Sequence, residues 1–213
     1  MIYFAGLLPM LLDERKVAPE DQDGWVVEPK HDGYRSLAQF GGGQCALRSK
    51  SGTDITKWFP EIRDALASLD CGQMIVDGEM CVLNEFGCSD FMAVHARARR
   101  RKYSAGDPVV TYCVFDLLEE DSQDITEKPL LWRKERLARL LEKLQPAHTL
   151  YVQHMSGEDV IHPISWLYAS AIQLELEGVV AKRADSIYQP GVRSPDWFKL
   201  KRPGAVPAKR FKR

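Results

Sequence analysis

The sequence has few cysteines, no long apolar run, no internal repeat and no surplus of one charge, and each absence removes a class of protein. Five cysteines in 213 residues (Cys45, Cys71, Cys81, Cys88 and Cys113) make an odd number with no C-x-x-C pair. That reads as a reducing compartment rather than a disulfide scaffold or a zinc site. The apolar opening, Ile2 to Leu12, has no basic residue before it, is broken by Pro9 and runs into Asp13-Glu14-Arg15-Lys16. An export signal carries the opposite flanks, and a bilayer span needs about 20 apolar residues. The expectation is a soluble, cytoplasmic protein with no membrane partner. With 29 Lys/Arg against 30 Asp/Glu, the net charge of −1 argues neither for nor against nucleic acid. Its distribution is less even. Residues 199–213 hold seven Lys/Arg and no acid, which leaves an excess of eight acids in residues 1–198. A basic end on an acidic body can meet a polyanion there.

What is present suffices for one sizeable core, at 45% apolar residues. Residues 33–40 and 44–49, joined by Gly41-Gly42-Gly43, read as a β-hairpin. Phe59, Ile62, Leu66 and Leu69 recur at helical spacing. Met74–Leu83 and Val109–Leu118 are apolar and short enough for strands. Helices are predicted over 89–102, 132–144 and 165–174, and strands over 178–182 and 197–201. Strands and helices mix without βαβ alternation, so the predicted class is α+β with antiparallel sheets.

Five short segments carry chemistry. In Glu28-Pro29-Lys30-His31-Asp32-Gly33-Tyr34-Arg35, a lysine between a strand and a glycine turn can project its amine into a cleft; alone, the segment is an ordinary surface turn. Asp77-Gly78-Glu79 puts two carboxylates in an apolar strand, facing a cleft, a cation or a ligand hydroxyl, or else marking a strand-end turn. Tyr112 to Leu118 taken alone is a core strand. Glu177 to Lys182 has a charge at each end of a buried-looking strand. In Trp197-Phe198-Lys199-Leu200-Lys201, period-two spacing puts both lysines on one face, where they repel unless an anion sits between them.

In this order the five segments resemble the nucleotidyltransferase motifs of the covalent ligase and capping-enzyme superfamily. The chain is most similar to ATP-dependent DNA ligases, particularly small bacterial ones associated with end joining. Trp25–Arg35, Leu176–Arg183 and Tyr188–Lys201 carry the likeness, with Pro9-Met10-Leu11 and Phe59-Pro60-Glu61-Ile62 in support. The resemblance implies an adenylation domain over residues 1–201 and a basic tail or linker stub over 202–213. It also implies two antiparallel sheets flanked by helices around an ATP cleft, ATP-grasp-like, without an OB-fold domain. The other readings are an RNA ligase of the same superfamily, separated only by the 2′-hydroxyl, and a catalytically reduced module that binds DNA ends.

By resemblance, Lys30 attacks the α-phosphate of ATP and becomes lysyl-AMP. AMP then passes to the 5′-phosphate of a nick in duplex DNA, and the 3′-hydroxyl closes the strand. Nearby cations lower a lysine pKa, and Lys199, Lys201 and Mg²⁺ (or Mn²⁺) are expected to supply that field at Lys30. Glu28 resembles the acceptor for the adenine amino group, which implies ATP over GTP. Phe115 resembles the aromatic that stacks on the base, with Val180 opposite. Arg35 and Glu79 resemble ribose contacts, and Glu79 also a metal contact. Glu177 resembles the principal metal ligand, Asp32 a carboxylate of the DNA-directed steps, and Lys199 and Lys201 the α-phosphate clamp.

Departures from the pattern accompany the likeness. Lys50 stands where such ligases carry an arginine, keeping the charge for a nick phosphate but losing the fork; Arg48 falls on the other strand face. Glu175 replaces a glycine at an expected helix end of positive φ. The sixth motif, which lies in an OB-fold domain that can also act in trans, as can an end-joining partner, does not follow Lys201. Arg97–Lys102 reads as a solvated helix face or a DNA grip, and Lys209–Arg213 as a DNA contact or linker. His31 reads as structural or DNA-touching, and His148, His154 and His162 lack metal-ligand spacing.

Overall fold

The protein is described from a computed structural model covering residues 1–205. Two sheets face each other. The first has four strands in the order β1 (Leu11–Arg15), β10 (Arg193–Lys201), β9 (Gly178–Arg183), β2 (Trp25–Pro29). The second runs β4 (Gln44–Ser49), β3 (Tyr34–Gly41), β5 (Met74–Cys81), β6 (Thr111–Glu120), β7 (Gln123–Asp124), with β8 (Thr149–Tyr151) also on β6. Four helices flank them: α1 (Pro60–Ala67), α2 (Phe91–Arg100), α3 (Leu130–Leu144) and α4 (Pro163–Gln173).

Local chemistry sets these elements. Pro60 and Pro163 open α1 and α4, where a missing N–H costs nothing. Asp90 caps α2 by accepting from the Ala93 N–H at 3.0 Å. The hairpin β3–β4 pairs Ser36 with Ser49 and Gly41 with Gln44, as its sequence requires. Period-two alternation then divides each strand between two cores. Trp25, Val27, Val179, Ala181, Phe198 and Leu200 pack against α4. Val26 and Trp197 turn inward, onto Leu37, Ile75 and Leu118 of the second sheet. The far face of that sheet carries Ala38, Val76, Met80, Tyr112 and Val114 against the helices.

The predicted α+β class with two helix-flanked sheets holds, and all the predicted helices and strands are present. Most strand pairs are antiparallel, but β1–β10 and β6–β8 are parallel. Neither edge pairing was legible: β1 reads Leu-Leu-Asp-Glu-Arg and β8 is three residues long. Among the described residues no helix is long and apolar enough to cross a membrane. The tail Lys209–Arg213 lies outside the described residues.

Candidate active site

Alternation leaves Glu28 on β2, Val180 and Lys182 on β9, and Trp197 on β10 facing Arg35, Glu79 and Phe115 of the other sheet, and together they line one pocket. Beside it, Lys30, His31, Asp32 and Glu177 line a wider cleft of about 580 Å³. Lys30 follows β2 directly, and its N–H donates to the Gly178 carbonyl at 3.0 Å. Two glycines permit this approach. A Cβ on Gly33 would lie 2.2 Å from the Met80 carbonyl oxygen, and one on Gly178 (φ +146°) would lie 1.9 Å from that of Leu200. Glu175 takes φ +55° after α4, the conformation expected of that position, and turns the chain toward Glu177.

Glu177 is the hub. One carboxylate oxygen accepts from Lys30 Nζ at 2.5 Å, and the other lies 2.5 Å from Lys201 Nζ. Lys199 points to the same face but pairs with Glu14 of β1 at 3.0 Å. The field at Lys30 therefore reverses the sequence expectation. Burial pulls its pKa down, but Glu177, Glu79 and Asp32 outweigh it and hold the pKa above the ordinary lysine value. The lysine part of the expected cation field does not reach Lys30, because Glu177 stands between it and Lys201. The acids carry the strain instead. Burial, opposed by Lys30 and Arg35, pushes Glu79 up to about 7; burial and the Glu177 charge push Asp32 up to about 6.

In the inner pocket Glu28 is 2% exposed, its oxygens 2.6 Å from Lys134 Nζ and 2.7 Å from Lys182 Nζ. Burial opposes its charge, yet the two lysines keep its pKa below the usual carboxylate value. Lys182 Nζ lacks hydrogen-bond alignment and lies 4.2 Å from the Phe115 ring centroid, with the Arg35 guanidinium 4.6 Å from that centroid. Arg35 makes a bidentate pair with Asp77, 2.6 Å in each arm, and Tyr188 donates to the same carboxylate at 2.6 Å.

The expected residues Glu28, Lys30, Asp32, Arg35, Glu79, Phe115, Glu177, Val180 and Lys201 thus converge, with Lys199 at the rim. Lys50 is exposed, its charge within reach of Lys199 and Arg35. Arg97, part of the run read as a solvated face or a DNA grip, is neither: it is 1% exposed and bidentate to Glu61 at 2.5 and 2.7 Å. Sequence reasoning singled out Asp77 and Lys182 within their motifs but gave them no role, and it missed Lys134 and Glu14. Two signals were available: Lys182 is two residues past Val180 on one strand face, and Lys134 shares a helix face with Leu130 and Leu137.

The chain is similar to known proteins over most of its length. Residues 9–201 match the ATP dependent DNA ligase domain. The chain is 35% identical over 198 residues to the multifunctional non-homologous end joining DNA repair protein LigD of Mycobacterium tuberculosis, covering 93% of this chain and 24% of that protein. It is 32% identical to the SPbeta prophage-derived DNA ligase-like protein LigB of Bacillus subtilis, covering 90% of this chain and 66% of that one. The solved structure of mycobacterial DNA ligase D complexed with ATP and MES superposes with a TM-score of 0.78 at 30% identity, covering 94% of this chain and 62% of that chain.

Proposed function

Since the chain belongs to the ATP-dependent DNA ligase domain family, we propose that Lys30 takes AMP from ATP as a phosphoramidate and passes it to the 5′-phosphate at a nick in duplex DNA. The observation that carries this is the shared Glu177 carboxylate, which holds Lys30 and Lys201 in one cleft. Lys30 must lose its ammonium proton to solvent before it can attack, and the Glu177 oxygen at 2.5 Å fixes where the amine points. The nitrogen then bonds to the α-phosphorus while the bond to pyrophosphate breaks. Lys201 and Lys199 lie on the face where negative charge develops, and Asp32 stands beside Lys30 for the DNA-directed steps.

The inner pocket suits the nucleoside. Arg35 is locked to Asp77 and Lys182 is held by one misaligned pair, so a base stacking on Phe115 against Val180 displaces Lys182. That frees a Glu28 oxygen to accept from the adenine amino group, and leaves Arg35 and Glu79 for the ribose. Glu177 and Glu79 supply hard oxygen donors suited to Mg²⁺ or Mn²⁺. Such an ion, when bound, neutralises these carboxylates and weakens their hold on the Lys30 proton.

Intact mass after incubation with ATP and Mg²⁺ tests the reading. The chain should gain one acid-labile AMP, and Lys30→Ala should gain none. An adduct persisting in that variant places the nucleophile elsewhere.

A further inference from the structure

Three side chains that the adenylation chemistry does not use meet at the edge of the nucleoside pocket, which His31 also lines. Cys81 follows Glu79 on one face of β5, and Cys113 precedes Phe115 on the matching face of β6. Glu79 and Cys113 are paired across the strands, so the two thiols are diagonal neighbours. The His31 imidazole reaches them from the loop after Lys30. A ring nitrogen of His31 and both sulfurs lie within 4.8 Å of one another. The Ser89 hydroxyl is 3.4 Å from His31 Nδ1. Val152, Leu83 and Phe115 pack around the thiols.

We propose that His31, Cys81 and Cys113 form a binding site for a soft divalent ion of the Zn²⁺ type. Tetrahedral Zn²⁺, with bonds of about 2.3 Å to sulfur and about 2.0 Å to nitrogen, needs donors about 3.5–3.8 Å apart. Side-chain rotation closes the remaining ångström. Binding displaces a proton from each thiol to solvent, and His31 gives a neutral lone pair. Two thiolates cancel the charge of the ion, so the complex is neutral, as its apolar surroundings require. The donor set favours Zn²⁺ over Mg²⁺, whereas Glu177 and Glu79 have the reverse preference. Ser89 or a water completes the fourth position. The three ligands come from separate segments, so spacing rules for paired cysteines do not reveal them.

Cobalt is the probe, since only thiolate ligation gives a charge-transfer band in the near ultraviolet. The reduced full chain should develop that band to one equivalent of Co²⁺, lose it to Zn²⁺ and keep it in excess Mg²⁺. Cys81→Ser and Cys113→Ser should each at least halve the band and weaken Zn²⁺ binding at least tenfold, and the double variant should abolish the band. Combined serine replacement of Cys45, Cys71 and Cys88 should leave it. No band in the wild-type chain, a band undiminished in either single serine variant, or one lost in the triple variant overturns the site. Should the variants misfold, X-ray absorption on the Zn²⁺-loaded wild-type chain decides: two sulfur ligands support the site, and oxygen or nitrogen ligands alone sink it.

Discussion

Glu28 carries one negative charge and holds two lysines, so the buried trio has a net charge of +1. Lys182 bears the cost: burial pushes its pKa down to about 8, against about 10.4 in an unfolded chain. The sign follows from proton counting. Below about pH 8 the folded protein carries the unfavourable buried charge in full. Between the two values the unfolded chain binds more protons, so stability from this group rises with pH until the penalty is gone. Lys182→Met leaves the neutral Glu28–Lys134 pair. It should therefore stabilise the chain by about 1–3 kcal/mol at pH 7, an advantage that shrinks by pH 10. Urea denaturation at the two pH values measures this. A variant less stable than wild type at pH 7 would show that Lys182 holds the pocket together.

At the scale of elements, the site depends on β9 and β10 lying in register at one point, where Gly178 faces Lys201. Glu177 leaves the ladder just there. Gly178→Ala puts a methyl against the Leu200 carbonyl in a backbone region that only glycine adopts freely. It should cost about 3 kcal/mol or more and abolish AMP transfer to Lys30, read by denaturation midpoint and intact mass; near-normal values for both would mean that the strand ends are free to part. The sequence displayed much of this, because a glycine after a metal-type glutamate and lysines two apart on a strand are local patterns. The hairpin, the helices behind Pro60 and Pro163, and the cleft-facing Lys199 and Lys201 were legible for the same reason. Partnerships across the fold were not. Nothing near Lys30 in sequence announces that Glu177 separates it from Lys201, nor that Lys134 reaches Glu28 from a helix over a hundred residues away. Arg97 shows the converse failure. Its basic neighbours suggest a wet surface, while Val94 and Ala98, on the same helix, were the better guide to its burial.

The chain is near neutral, so the proposed grip on a polyanion must come from local placement of charge. Lys50, Lys199 and Arg193 gather at one rim of the cleft; partial desolvation, then the charges of Arg35 and Lys199, depress the Lys50 pKa, as expected of a cation among cations. A phosphate at that rim relieves the repulsion. The basic helix α2 offers less than its sequence suggests, because Arg97 is spent on Glu61 and Arg100 pairs with Asp107. Binding of nicked duplex should therefore weaken steeply with salt, and Lys50→Ala should lower the slope of log K against log salt by about 0.9, one phosphate contact. Arg99→Ala should leave the slope unchanged. Arg97→Ala should cost about 3–5 kcal/mol of stability by stranding Glu61, and alter DNA binding only in proportion to the unfolded fraction. Titrations of fluorescent nicked duplex at several salt concentrations, with melting curves alongside, separate these effects. A slope that ignores Lys50 and falls with Arg99 would move the DNA path from the cleft rim onto α2.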